Sequence, residues 1–393
     1  MAKNIVILLD GTSNQISDKR TNILRLYGCL RKNENQLVYY DPGVGTFGAE
    51  NAWSRQMQKA SEVWGMATGY GLDDNVMEAY RFLVEHYDNG KTSDGERDRI
   101  YIFGFSRGAY SARVLAGFIR AVGLIEPRNL NLLRYAYRAY KRIGEREDDD
   151  SFAEVRLYER ILAPDRPPIR LLGLFDTVAS MIESGPGLLP VLRTHAFTEK
   201  NVCVESVRHA VALDERRRMF RAQLWPEGQD YWGNPFSGHQ AKPQDAKEVW
   251  FTGVHGDIGG GYPEGESGLA KLPLIWMIEE TKALGLDYVT QTVNRIVLGT
   301  APDKPYSEPN AFADPHDSMT SVWPVLEYLP LPPGPNSRRA RFAGMTIARH
   351  EPRFVPENAR LHGSVIARAE KTGTLPDHIP AQHRVEGTAA DWE

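Results

Sequence analysis

The segment that most constrains this chain runs from Arg99 to Val122. Arg99–Gly104 (RIYIFG) is an apolar run that breaks at Gly104-Phe105-Ser106-Arg107-Gly108, and a helical pattern, Arg107–Val122, opens at once. A serine on so sharp a strand-to-helix turn takes a strained backbone, and side chains on its neighbours would collide. Gly104 and Gly108 remove those side chains, and Ala109 lets the helix lie close to the strand. Such a turn needs a parallel sheet behind it. It predicts an α/β fold with the Ser106 hydroxyl at the sheet's carboxyl edge. The Arg107 N–H then sits beside that hydroxyl at a helix N-terminus, where it can stabilise an oxyanion. The glycines do not form a phosphate loop, since no G-x-x-x-x-G-K-[ST] occurs, and no strand leads into G-x-G-x-x-G.

The rest of the chain fits that frame. Further apolar runs read as strands at Asn4–Asp10, Gln36–Tyr40, Ile169–Phe175 and Glu248–Val254, with weaker candidates at Phe220–Trp225 and Arg341–Ile347. They are nearly continuous in apolar residues, as parallel strands buried on both faces are. Helical patterns lie between them at Leu72–Tyr87, Asn129–Ile143, Phe152–Leu162, Asn201–Leu213 and Leu269–Leu284. The expected architecture is an α/β-hydrolase-like, doubly wound, mostly parallel sheet. Its core covers residues 1–300, with a helical insertion at 129–162. Prolines punctuate the chain from Pro302 to Pro335, so residues 301–393 are expected as an extension wrapped on that core.

Composition narrows the function classes. The 393 residues carry 47 Lys and Arg against 51 Asp and Glu, so no global positive field favours a nucleic-acid partner. Two cysteines, Cys29 and Cys203, cannot make a disulfide scaffold. No apolar run is long enough to span a membrane, and Ile5–Leu9 is too short for a signal peptide core. The expectation is a soluble chain made in the cytosol, with export by a signal-independent system left open.

A serine nucleophile needs a base and an orienting acid, and in α/β-hydrolases these follow in the order Ser, Asp, His. Ile169–Phe175 runs into Asp176, and Glu248–Val254 runs into His255-Gly256-Asp257, so Ser106, Asp176 and His255 are the first choice. His362, in Leu361-His362-Gly363-Ser364, is the rival base, with Asp257 or Asp176 as its acid. Asp176 could instead only cap its turn, and His255 could be a packed residue held by Asp257. The first strand ends in Asp10-Gly11-Thr12; Gly11 or Thr12 is the candidate second oxyanion donor, and Asp10 is expected to organise that loop. No cofactor or metal is expected. Two other classes compete: a metal-dependent phosphohydrolase on Asp10, Asp176, His255 and Asp257, and a non-catalytic scaffold on a hydrolase fold. The first lacks an acidic residue two positions before Asp10, where Leu8 stands.

The chain resembles the α/β-hydrolase family that contains the catalytic domain of type VI secretion phospholipase effectors. The resemblance rests on Leu9–Thr12, Tyr40–Thr46 (YDPGVGT), Gly104–Arg113 (GFSRGAYSAR) and Phe175–Val178 (FDTV). It continues in His209–Arg217 (HAVALDERR), Gly253–Tyr262 (GVHGDIGGGY) and, more loosely, His362–Val365. It implies a serine esterase or lipase with Ser106 as nucleophile, Asp176 as acid and His255 as base. It implies an ester substrate, with lipid esters and peripheral membrane contact as the extension. Met181–Phe197 is a candidate lid or acyl-chain wall, or else an ordinary buried loop. The acidic run Glu145–Asp150 reads as a solvated face that would not favour anionic headgroups.

Overall fold

The computed structural model describes residues 2–11, 19–43, 71–91, 95–145, 149–178, 182–184, 190–192, 195–234, 240–302, 305–320, 323–330, 337, 339, 341 and 344–389, with the backbone alone at 144, 145, 149–155, 182–184 and 190–192. Its centre is one sheet of eight strands. In chain order these are β1 (Asn4–Leu9), β2 (Gln36–Asp41), β3 (Arg99–Phe105), β4 (Ile169–Phe175), β5 (Val204–Ala212), β6 (Asp245–Phe251), β7 (Arg360–His362) and β8 (Arg384–Glu386). Across the sheet the order is β8-β7-β6-β5-β4-β3-β1-β2, and every neighbouring pair is parallel. The fold is α/β-hydrolase-like, as expected from the elbow.

Helices cover both faces. They are α1 (Asn22–Cys29), α2 (Leu72–His86), α3 (Arg107–Val122), α4 (Leu133–Glu145), α5 (Asp149–Leu162), α6 (His255–Gly259), α7 (Lys271–Ala283), α8 (Thr290–Ile296), α9 (Trp323–Leu326) and α10 (Gly363–Thr372). Side chains alternate along each strand, so one run feeds two cores. On β1, Ile5, Ile7 and Leu9 join the core under α2, α3 and α4, while Val6 and Leu8 join the one under α1 and α7. Each such buried aliphatic side chain contributes about 1.5–3 kcal/mol. A third cluster brings Val355, Leu361, Val365 and Ile379 from the proline-punctuated tail against Val211, Leu213 and Trp250.

Three expectations need correction. Asn201–Leu213 is not a helix: Val204–Ala212 is the central strand β5, between β4 and β6. Val204, Val207, Ala210 and Val211 fall at helical spacing, but the strand is buried on both faces, which erases any period-2 signal. Phe220–Trp225 is not a sheet strand: Phe220 ends a single 3-10 turn, Arg218–Phe220, and Ala222 makes only an isolated bridge to Val178. Arg341–Ile347, of which 342 and 343 lie outside the described residues, does not hold the place of the late strand before His362. That place belongs to Arg360–His362, which the short, polar-flanked sequence did not advertise.

Candidate active site

The elbow forms where β3 meets α3. Ser106 has φ 58°, in the left-handed region that a side chain takes only under constraint. Its N–H donates to the Phe175 carbonyl at the end of β4, 3.0 Å away, which anchors the turn to the neighbouring strand. The flanking glycines are required by space. A Cβ on Gly104 would stand 2.3 Å from the Gly108 carbonyl oxygen, and one on Gly108 would stand 2.2 Å from the Leu9 carbonyl oxygen on β1. Arg107 opens α3 directly after the serine and carries its backbone N–H on that first turn.

Two further strand ends converge on Ser106. His255 begins α6 just beyond β6, and its Nε2 lies 2.8 Å from Ser106 Oγ. Its Nδ1 lies 2.5 Å from Oδ2 of Asp176, which follows β4. The ring is held on two sides: Phe105 stacks on it at 4.7 Å and Phe220 meets it edge-on at 4.9 Å. Asp176 is fully buried, and its Oδ1 accepts the Ala212 N–H at 2.9 Å. Arg353 completes its surroundings with both arms of the guanidinium, Nη1 to Oδ1 at 2.5 Å and Nη2 to Oδ2 at 2.9 Å.

The electrostatics follow from that packing. Burial alone would push the Asp176 carboxyl up, but Arg353 and then His255 outweigh it and hold the group well below the usual carboxylate range. An ionised carboxylate only accepts, so His255 Nδ1 carries the proton and Nε2 presents its lone pair to the Ser106 hydroxyl. Burial lowers the His255 pKa below its ordinary value, although Asp176 opposes the shift, so the imidazole is neutral at neutral pH.

A second ring of groups holds these residues in place. The Thr177 N–H donates to His209 Nε2 at 3.2 Å, so His209 Nδ1 is the donor to Glu248, 2.8 Å away. The buried guanidinium of Arg113 donates to Thr177 Oγ1 at 3.2 Å and to the Gln223 carbonyl at 2.7 Å. Glu215 accepts the His255 N–H at 3.2 Å, Arg217 Nη2 at 2.7 Å and the Ser318 hydroxyl at 2.9 Å. Burial would raise the Glu215 carboxyl, but the bonds from Arg217 bring it down to about 2.

With this geometry in view, the comparisons identify the lineage. Residues 3–280 match the model of the T6SS phospholipase effector Tle1-like catalytic domain. The chain belongs to that family. It is similar to the uncharacterized protein YEL023C of Saccharomyces cerevisiae, 34% identical over 237 residues, which are 56% of this chain and 32% of the yeast protein. Among solved structures it is similar to an uncharacterized protein from Pseudomonas aeruginosa, at 20% identity and TM-score 0.39, over 78% of this chain and 48% of that one. It is also similar to the Tle1 effector bound to the VgrG spike of the type 6 secretion system, at 19% identity and TM-score 0.33, over 68% of this chain and 52% of that one. The chain thus spans about a third of its yeast relative (32%) and about half of each structure (48% and 52%).

The Tle1-like match contains Ser106, Asp176, His255, Glu215 and His209 but stops short of His362 and Arg353. His362 ends β7 and does not join Ser106. Its Nδ1 accepts the Ser364 N–H at 3.3 Å as the cap of α10, and its ring stacks on Phe251 at 4.5 Å. Asp257 serves His316 rather than His255, accepting from His316 Nδ1 at 2.6 Å. The Gly11 N–H, expected as an oxyanion donor, donates to Oδ1 of the preceding Asp10 at 2.7 Å. Asp10 Oδ2 accepts from Thr21 at 2.5 Å and from Tyr40 at 2.9 Å, so Asp10 ties the end of β1 to the start of α1 and to β2. Thr12 lies outside the described residues, as do most of 181–194 and part of the acidic run at 145–150. Among the described residues no group of three His, Cys, Asp or Glu side chains is arranged to hold a metal ion; Asp10, Asp176 and Asp257 each serve their own partners. Among the same residues no helix is long and apolar enough to cross a membrane. Sequence reasoning missed Glu215 and His209 as supports, although both sit in the HAVALDERR segment it singled out. It missed Arg353 altogether.

Proposed function

We propose that the chain hydrolyses carboxylic esters, with lipid esters as the substrate class, through Ser106, His255 and Asp176. The observation that carries this reading is the unbroken chain from Ser106 Oγ through both nitrogens of His255 to a buried, ionised Asp176. His255 Nε2 takes the Ser106 proton as the hydroxyl oxygen attacks the ester carbonyl. The Arg107 N–H, at the start of α3, stabilises the oxyanion that forms. The imidazolium, held by Asp176, returns the proton to the leaving alcohol. Water activated by the same Nε2 then cleaves the acyl-enzyme and restores Ser106. The Tle1-like phospholipase family supports lipid esters over other esters.

The test is Ser106→Ala assayed on p-nitrophenyl butyrate and on phosphatidylcholine vesicles. The expected result is loss of turnover by at least about 10⁴-fold with an unchanged circular dichroism spectrum. Wild-type turnover in that variant would sink the reading. In the unsubstituted chain, turnover of the soluble ester without fatty-acid release from vesicles would remove the lipid part alone.

A further inference from the structure

Arg353 lies outside residues 3–280, the span shared with the family model, yet its guanidinium reaches the acid of the proposed site. Its side chain is 2% exposed, and both arms are committed: Nη1 also donates to the Ala212 carbonyl at 3.0 Å, and Nη2 to the Phe220 carbonyl. Ala212 ends β5 and Phe220 supports the His255 ring. One planar fork therefore ties Asp176 to the strand beside it and to the aromatic wall of the imidazole. Neither Asp176 oxygen can rotate away from His255 without breaking a charge-assisted bond.

We propose that Arg353, carried in by the C-terminal segment, is a positioning residue for hydrolysis that fixes the Asp176 carboxylate and, through it, the His255 ring. This rests on the Ser106–His255–Asp176 reading above. The fork also sets when the pair takes up a proton. Asp176 and His255 titrate as a coupled unit, and a fixed cation against that unit makes proton uptake harder. The other groups facing the pair are Ser106 from the elbow, His209 from β5, and Glu215 and Arg217 from the segment after β5. Arg217 opposes protonation of His255, while Glu215 favours it. Arg353 is the cation in direct contact with the carboxylate among the described residues.

The experiment measures kcat and KM for p-nitrophenyl butyrate from pH 4.5 to 9 in the full chain, Ser106→Ala, Arg353→Met and Arg353→Lys. Arg353→Met should lose about 10- to 100-fold in kcat with KM little changed, since a small displacement of the base costs that much. Its acid limb should move up by about one pH unit, because the pair has lost its neighbouring cation. Arg353→Lys keeps the charge but not the fork, so its limb should stay near wild type while kcat falls. A folded Arg353→Met with wild-type kcat overturns the proposal, and so does a fall in kcat with an unmoved acid limb, the mark of a merely structural role. If Arg353→Met does not fold, wild-type kcat in Arg353→Lys overturns it. Activity retained in Ser106→Ala would instead remove the underlying reading, which keeps the two failures apart.

Discussion

His255 follows β6 and His362 ends β7, on adjacent parallel strands. Both rings are buried, both stack on a phenylalanine, and both stand at the start of a helix. The difference lies in what meets Nδ1. At His255 it is the Asp176 carboxylate, which leaves Nε2 facing Ser106; at His362 it is Ser364 of its own helix, through the hydroxyl at 2.8 Å and the backbone N–H at 3.3 Å, so that ring serves as a cap. A strand-end position does not by itself make a histidine a base. Nor does a carboxylate on Nδ1 alone, since Glu248 meets His209 in the same way while the Thr177 N–H occupies its Nε2; what sets His255 apart is a carboxylate on one nitrogen and the Ser106 hydroxyl on the other.

The largest effect that could break this comparison comes from replacing the two rings in turn. His255→Ala should lower kcat for p-nitrophenyl butyrate by about 10⁴-fold or more, whereas His362→Ala should leave it within about twofold. Comparable losses in both would erase the distinction. Asp176→Asn tests the tautomer argument: an amide can donate to Nδ1 and leave the wrong nitrogen protonated, so kcat should fall by about 10³–10⁴-fold with the fold retained.

A smaller effect lies in the pH profile. The proposed hydrolysis needs neutral His255, whose pKa lies below the ordinary value because the ring is buried. The acid limb of kcat/KM should therefore sit below the usual histidine pKa of about 6.5, and a limb above that value would contradict the burial argument. Glu215, which holds the His255 N–H, bears on stability. Its folded pKa is depressed to about 2, so its contribution is fully present above the ordinary glutamate range and is lost as pH falls toward 2. Urea unfolding should show the gap between wild type and Glu215→Gln closing over that window. The smallest effect is at the cap. His362→Ala should cost about 1–3 kcal/mol in stability, and His362→Asn should recover the capping share, read as Tm.

The parts that were legible in the sequence are those where one short stretch carries its own reason. Gly104, Ser106 and Gly108 announce a turn because only that spacing clears Leu9 and Gly108 backbone from the elbow. Asp176 and His255 were readable because each ends an apolar run. The central strand β5 was not, since a strand buried on both faces looks like a buried helix in an alternation test. Arg353 was illegible for a different reason. Its partner is 177 residues away, and an isolated arginine between Pro352 and Phe354 carries no local pattern that points to a carboxylate.

The strand order has a consequence for how the molecule is made. From β3 onward, each new strand joins the same growing edge in the order in which it leaves the ribosome, β3, β4, β5, β6, β7, β8. A nascent chain can therefore lay down the sheet without waiting to thread a later strand between earlier ones. Ser106, Asp176 and His255 emerge in that sequence, and Arg353 only after all three. Until it arrives, the Asp176 carboxylate lacks the two bonds that the Arg353 guanidinium gives it in the finished chain.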